Sequence, residues 1–394
     1  MIIHTIDILK KEGLNFLGEN ESMESVLRIK EKIINYLKKG VKNTKEIEKG
    51  LGLKGRSTRK ALFELEKKGV VKRIRKEKMK RKFGESDSWE LRKNIQIEYY
   101  VPKGEVCGVY ETFHNNNVYK KHYLLLKKEI ILNETDLTAL GFFQAEGSKK
   151  IKTIEVVNSE PLLISLFISF LEGFGVNKKD LSFRVVFNKK IIDRLKTNKK
   201  DLEEKSKVIW DKIADSSKYK YKKYNYSGTL IGELRKQSPV WGSLNVEYCS
   251  VLLKKFLSGL LNEAKNNLEE KEEIAAYLRG FFAGEAYVGK YDREIQIASI
   301  DLNELNFVKK LLEQIGIHGS ISKKTSTSPP RIIITNLDSF LTLESIDIFR
   351  FHPPKKINLL TKILNYKCLN DTLRKELKIK LAKTDKLLEY RNTA

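Results

Sequence analysis

Two glutamates, Glu146 and Glu285, occur near the ends of two closely similar stretches. These are Ala139-Leu140-Gly141-Phe142-Phe143-Gln144-Ala145-Glu146-Gly147 and Leu278-Arg279-Gly280-Phe281-Phe282-Ala283-Gly284-Glu285-Ala286. Glycine, two phenylalanines, a small residue and the glutamate fall at the same offsets in both. Each stretch reads as the end of a short helix that is apolar nearly all round, and such a helix is buried against something other than water. Gly141 and Ala145 lie one turn apart, as do Gly280 and Gly284, so each helix offers a face without bulk on which a second backbone can approach. The phenylalanines then point away from that seam, into the core of their own half. A carboxylate at a helix C-terminus meets the negative end of the macrodipole, a penalty of a few tenths of a kcal/mol up to ~1 kcal/mol. A divalent cation reverses that penalty. Two carboxylates packed side by side repel, and as hard oxygen ligands around Mg²⁺ or Mn²⁺ they are relieved while a water is prepared to attack phosphate.

The paired motifs resemble those of the LAGLIDADG homing endonucleases, in the form with two motifs on one polypeptide. The resemblance implies that Glu146 and Glu285 are the metal-binding, catalytic carboxylates. It also implies an α+β fold in which two pseudo-symmetric αββαββα-type halves carry saddle-shaped antiparallel sheets that lie along DNA. The second motif departs from the family by ending in Ala286 instead of glycine, and Gln144 and Ala283 stand at the motif's first acidic position. The family usually adds a lysine near the scissile phosphate, where it stabilises charge developing in the transition state. His352-Pro353-Pro354-Lys355-Lys356 resembles the segment before the family's last helix, which makes Lys355 and Lys356 the candidates.

What must position these residues is a chain of 394 residues, long enough for two or three domains and a substantial core. Its formal net charge of +25 points to a phosphate backbone as partner, through salt-sensitive, sequence-independent attraction. Three scattered cysteines suggest neither a disulfide framework nor a zinc finger, and five scattered histidines read as structural. The N-terminus lacks a signal-peptide pattern and no apolar run is long enough for a membrane span, so the expectation is an intracellular, cytoplasmic protein that is not secreted.

Residues 1–23 form a leader without an assignable role. From Glu24 the apolar positions Val26, Ile29, Ile33, Ile34 and Leu37 have helical period. A second helix fits residues 43–53 with Asn43 or Thr44 as N-cap, and a third runs from Ser57 through Lys68 and ends at Gly69. Val70 to Ile74 and Ser88 to Arg92 read as strands. This order resembles winged helix-turn-helix DNA-binding domains, here over residues 24–94. The resemblance places Arg56, Ser57, Thr58, Arg59 and Lys60 at the major-groove end of the third helix. The wing carries Lys72, Arg73, Arg75, Lys76, Lys78, Lys80, Arg81 and Lys82 against the lone Glu77, a charge suited to flanking phosphates or the minor groove.

Residues 95–133 read as a connector with strand content, followed by a first half over 134–264, a linker over 265–271, a second half over 272–371 and a charged helical tail over 372–394. In the first half, strands are expected at Lys150–Val157 and Leu181–Phe187 and a helix at Glu160–Gly173. Residues 191–213 read as helical, and lysine and tyrosine alternate from Lys218 to Tyr226. In the second half, strands are expected at Glu294–Ile300, Ile317–Ser322 and Arg331–Thr335, and helices at Asn303–Ile315, from Leu337 and from Lys355. Arg293 and Gln296 are candidate DNA contacts on an alternating strand.

The expectation is a monomeric, site-specific endonuclease for double-stranded DNA. A non-cleaving DNA-binding regulator is the alternative, and an intron RNA maturase, which would bind RNA, a further one. The terminal residues that protein splicing requires are not apparent.

Overall fold

In the computed structural model the described residues are 1–5, 7–8, 23–37, 39–67, 71–74, 87–91, 96–103, 105–113, 119–127, 129–148, 153–188, 199–214, 219–224, 241–290, 292–322 and 329–393. They fall into two compact units. One comprises residues 4–130 with 251–259, and the other residues 1–3, 131–250 and 260–394.

The first unit begins with three helices, α1 (Met23–Leu37), α2 (Thr44–Leu51) and α3 (Gly55–Lys67). They accompany a small antiparallel sheet of β1 (Lys42–Asn43), β2 (Val71–Ile74) and β3 (Ser88–Leu91), in the order β1–β3–β2. Asn43 starts α2 through a reciprocal capping box with Glu46, and Gly52 ends it in the left-handed region at φ 64°, where a residue without a Cβ is unstrained. Ile33, Ile34, Leu37, Ile47, Leu62, Leu65, Val71 and Trp89 form the core of this part. Strands β4 (Gln96–Lys103), β5 (Glu105–Phe113) and β6 (Tyr119–Lys127) then form a three-stranded antiparallel sheet, more regular than the connector expected there.

The second unit is organised around two helices, α4 (Glu134–Glu146) and α8 (Lys271–Glu285), each followed by its own four-stranded sheet. After α4 come β7 (Thr153–Asn158), α5 (Pro161–Gly173), β8 (Ser182–Asn188), α6 (Lys199–Trp210), β9 (Tyr219–Tyr224) and β10 (Ser243–Cys249). Helix α7 (Val251–Asn266), whose residues 251–259 count with the first unit, follows in the chain and extends through Leu257–Ala264 into the expected linker. After α8 come β11 (Ala286–Val288), β12 (Ile295–Ala298), α9 (Leu302–Gln314), β13 (Ser320–Ser322), β14 (Arg331–Ile334), α10 (Leu337–Ser345), α11 (Pro353–Leu364) and α12 (Asp371–Thr393).

The first sheet has the order β9–β8–β10–β7 and the second β11–β12–β14–β13. Ile154, Val156, Phe183, Val185, Leu244 and Val246 share one buried face of the first sheet. Glu155 and Asn245 on the other face are buried as well and joined by a hydrogen bond of 2.7 Å. In the second sheet alternation buries Ile295, Ile297, Ile332 and Ile334 on one face. All pairings in the second sheet are antiparallel, whereas β9 joins β8 in parallel. That departs from an all-antiparallel expectation, because α6 lies between these strands as a crossover.

Helix α11 starts two residues earlier than expected. His352 caps it and the two prolines occupy its first turn, where their missing amide hydrogens leave no bond unmade. No helix among the described residues is long and apolar enough to cross a membrane.

Candidate functional site

The seam between α4 and α8 is closer than side chains would permit. A Cβ added to Gly141 would lie 2.0 Å from the Tyr277 carbonyl oxygen, and one added to Gly280 would lie 1.8 Å from that of Thr138. The two glycines therefore let each backbone rest on the other, and the Thr138 hydroxyl spans the seam to the Ala276 carbonyl at 2.9 Å. Bulk is displaced outward. Phe142 and Phe143 pack on Phe167 of α5, at centroid distances of 6.1 and 5.7 Å, and Phe282 lies 6.1 Å from Phe349.

This register brings the helix C-termini together. A Cβ on Gly284 would meet the Ala145 Cβ at 2.6 Å and the Glu146 Cγ at 3.1 Å, so the Glu146 side chain crosses the residue directly before Glu285. Asn158, at the end of β7, donates its side-chain amide to Glu146 Oε1 at 3.1 Å. The third member is Lys355, in the first turn of α11. Its Nζ donates to the carbonyls of Phe282, Ala283 and Gly284 at 3.2, 2.6 and 3.2 Å. Glu146, Glu285 and Lys355 thus share one electrostatic neighbourhood. Burial holds the Lys355 ammonium down to about 8, with Glu146 and Glu285 working against the shift. Burial likewise raises the Glu146 carboxyl above its ordinary range, opposed by the Lys355 charge and by the Asn158 amide.

Among the described residues no three His, Cys, Asp or Glu side chains cluster as a ready metal cage. The donor set available is two carboxylates. Their chemistry fits a hard cation such as Mg²⁺, which keeps several waters and is bound through one or two carboxylates plus substrate phosphate oxygens.

Other sequence candidates are distributed differently. Lys356 turns away from the cluster and pairs with Asp347 at 2.7 Å. Gln296 lies on the outward face of the second sheet and accepts from Arg331 Nη1 at 2.6 Å, and Arg293 is exposed beside it. In the first unit Arg56, Ser57, Arg59 and Lys60 are exposed on the first turns of α3. Thr58 is fully buried, with its hydroxyl on the Lys54 carbonyl at 3.1 Å, because the i−4 carbonyl is its nearest acceptor. Lys72 is exposed. Arg73 instead pairs with Asp87 and lies over the rings of Phe63 and Trp89, at 5.0 and 5.5 Å. Arg75, Lys76, Lys78, Lys80, Arg81 and Lys82 lie outside the described residues.

Sequence reasoning missed Asn158, and it missed the strands β10 and β11. For β10 the alternation of Leu244 and Val246 with Asn245 and Glu247 was a usable signal. For Asn158 there was none, since its role depends on where β7 ends relative to α4.

Residues 272–346 match the profile of the LAGLIDADG-like domain. No curated protein matches the chain. Among solved structures, mesophilic variants of the homing endonuclease I-DmoI are 12% identical over 55% of this chain and 91% of theirs, with a TM-score of 0.33. I-DmoI in complex with DNA and Mn is 13% identical over 54% of this chain and 97% of its own, with a TM-score of 0.32. Full-length WhiA from Thermatoga maritima is 12% identical over 65% of this chain and 83% of its own, with a TM-score of 0.29.

Proposed function

With a LAGLIDADG-like domain in the chain as the premise, we propose that this protein is a site-specific endonuclease of the homing type that hydrolyses both strands of duplex DNA. The observation that carries the reading is the pair of carboxylates, Glu146 and Glu285, at matching ends of two helices whose glycine seam holds them together. Each carboxylate serves one strand, so a single polypeptide suffices and the working form is a monomer with internal pseudo-twofold symmetry. Both are at once the metal-holding and the catalytic groups, and Mg²⁺ or Mn²⁺ bound there supplies Lewis acidity and a nucleophilic water. The chain's own contribution is positional. The seam fixes the carboxylate spacing, Asn158 orients Glu146, and Lys355 contributes positive charge where negative charge gathers on phosphate.

The outward faces of the two sheets lie along the duplex, with Gln296 and Arg293 among the contacts. Residues 24–94 act as a winged helix-turn-helix that adds a second DNA-binding surface. The exposed Arg56, Ser57, Arg59 and Lys60 meet the groove and its phosphates, and the basic wing meets the flanking backbone. The net charge of +25 supports this partner.

One observation favours a second reading, a DNA-binding regulator that does not cut. The Lys355 ammonium already provides a cation beside both carboxylates.

The test is incubation of long random or host-genomic duplex DNA with Mg²⁺, comparing wild type with Glu146→Gln and Glu285→Gln and sequencing the ends. Staggered breaks at one long site, reduced to nicks or abolished in the variants, are the expected result. Specific binding by wild type without breaks overturns the nuclease and leaves the regulator.

A further inference from the structure

We propose that Lys355 is a built-in cation that holds the carboxylate pair together and competes with any divalent ion for it. The inference rests on reading Glu146 and Glu285 as the site's carboxylates, and it is independent of whether the site cuts DNA.

Helix α8 ends without the closure that helices usually find. The chain passes from Glu285 straight into β11, with Ala286 extended at φ −72° and ψ 129°. Only the Phe282 carbonyl receives the Ala286 amide, and a left-handed glycine that would fold the chain back over the last turn is not used. The carbonyls of the final turn therefore need donors from elsewhere. Lys355 provides them. An ammonium has three N–H bonds, and here they meet three successive carbonyls, those of Phe282, Ala283 and Gly284.

The position is also the negative end of the α8 dipole, which favours a cation. Glu146 and Glu285 add their charges in the same place. The His352 cap and the prolines that start α11 fix the backbone from which Lys355 reaches in, since the Lys355 amide donates to His352 Nδ1 at 3.3 Å. A freely solvated lysine would need none of this support. The neighbouring Lys356, partly exposed and paired with Asp347, shows the more ordinary arrangement.

A cation that is part of the chain lowers the gain from adding a second one. Wild type should keep its carboxylates together without divalent ions and should bind them weakly. Removing the ammonium should leave the same two carboxylates with a stronger need for Mg²⁺ or Ca²⁺.

The experiment is calorimetric titration of the full chain with Ca²⁺, without DNA, for wild type, Lys355→Met and Lys355→Arg, alongside thermal unfolding in chelator and in Ca²⁺. The expected result is Ca²⁺ binding at least tenfold tighter in Lys355→Met than in wild type. Its melting temperature should fall in chelator and recover with Ca²⁺, and Lys355→Arg should stay within about threefold of wild type. Equal Ca²⁺ affinities in wild type and Lys355→Met, including no binding by either, overturn the proposal. Should Lys355→Met not fold, the double variant Lys355→Met/Glu285→Gln, with one carboxylate charge fewer to balance, is expected to fold. Its failure to do so overturns the counter-ion role. Absence of DNA cleavage by wild type would refute the nuclease and leave these outcomes unaffected.

Discussion

The two halves of the second unit solve the same problem differently at the ends of their seam helices. Helix α4 leaves through Gly147, extended at φ −68°, and the next residue, Ser148, donates its amide to the Glu155 carbonyl of β7 at 2.8 Å. Helix α8 leaves through Ala286 in nearly the same conformation and enters β11 at once. Neither position has positive φ, so backbone freedom does not explain the glycine. Its neighbour does. A Cβ on Gly147 would lie 2.1 Å from the Phe143 carbonyl and 2.9 Å from the Phe143 ring, while Ala286 is accommodated and buried. The partners of the helix ends differ as well. Glu146 accepts from the neutral Asn158, and the last carbonyls of α8 accept from the charged Lys355. Pseudo-symmetry here belongs to the backbones, and the chemistry at the two ends is distinct.

The largest effect should come from the feature the halves share most closely. Gly280→Ala sets a Cβ against the backbone of Thr138 and Phe142, at 1.8 and 2.6 Å, and Gly141→Ala sets one against Tyr277 at 2.0 Å. Backbone atoms cannot rotate away, so the helices must separate, and each substitution should destabilise the unit by about 3 kcal/mol or more. Gly284→Ala should cost less, about 1 kcal/mol, because it meets the Ala145 methyl and a movable Glu146 side chain near the helix ends. Urea unfolding of the three variants checks the order. Equal costs at all three positions would mean that the seam is not closest where Gly141 and Gly280 cross it.

The difference at the helix exits gives a smaller, directional effect. Gly147→Ala should cost about 2 kcal/mol, because the Phe143 carbonyl it meets at 2.1 Å belongs to the last turn of the same helix, which can shift without parting α4 from α8. Ala286→Gly should cost only about 0.5 to 1 kcal/mol, from lost burial and added freedom in the unfolded chain. Unfolding midpoints of the two variants read this out. If Ala286→Gly proves the more costly, the contrast drawn between the exits fails.

The repeated motif made much of this architecture legible in advance. Glycine spacing alone located the seam, and apolar period located α5, α9 and α10 to within a few residues, because both are local properties of the chain. What was illegible depends on long-range pairing. Asn158 reaches Glu146 only because β7 ends beside α4. Lys355 and Lys356 look equivalent in sequence, and the helix start at Pro353, two residues ahead of the expected one, decides which of them faces the carboxylates. In the same way, Thr58 and Arg73 carried groove- and phosphate-contact types, yet an i−4 carbonyl and the half-buried Asp87 took their polar atoms. Short β11 has too few residues to carry a periodic signal, whereas the alternation along β10 is readable in the sequence.

A further asymmetry concerns Gln144, whose counterpart in the second motif is Ala283. Gln144 Oε1 accepts from the Tyr277 hydroxyl, and its Nε2 donates to Glu304 Oε1 at 2.8 Å. Glu304 Oε2 accepts from Ser299 at 2.6 Å, so a polar chain crosses from the first motif into the second half on one side only. Burial, reinforced by the Glu304 charge, pushes the Tyr277 hydroxyl well above its ordinary pKa, which keeps it a donor at neutral and mildly alkaline pH. Tyr277→Phe should therefore cost about 1 kcal/mol, since it leaves Gln144 short of one donor without opening a cavity. Gln144→Ala should cost about 1 to 2 kcal/mol, because it strips partners from both Tyr277 and Glu304. A double-mutant cycle in urea should return a coupling of about 1 kcal/mol between the two residues. Strict additivity would show that the bridge adds nothing to the seam, and the asymmetry between the halves would then reside in the helix ends alone.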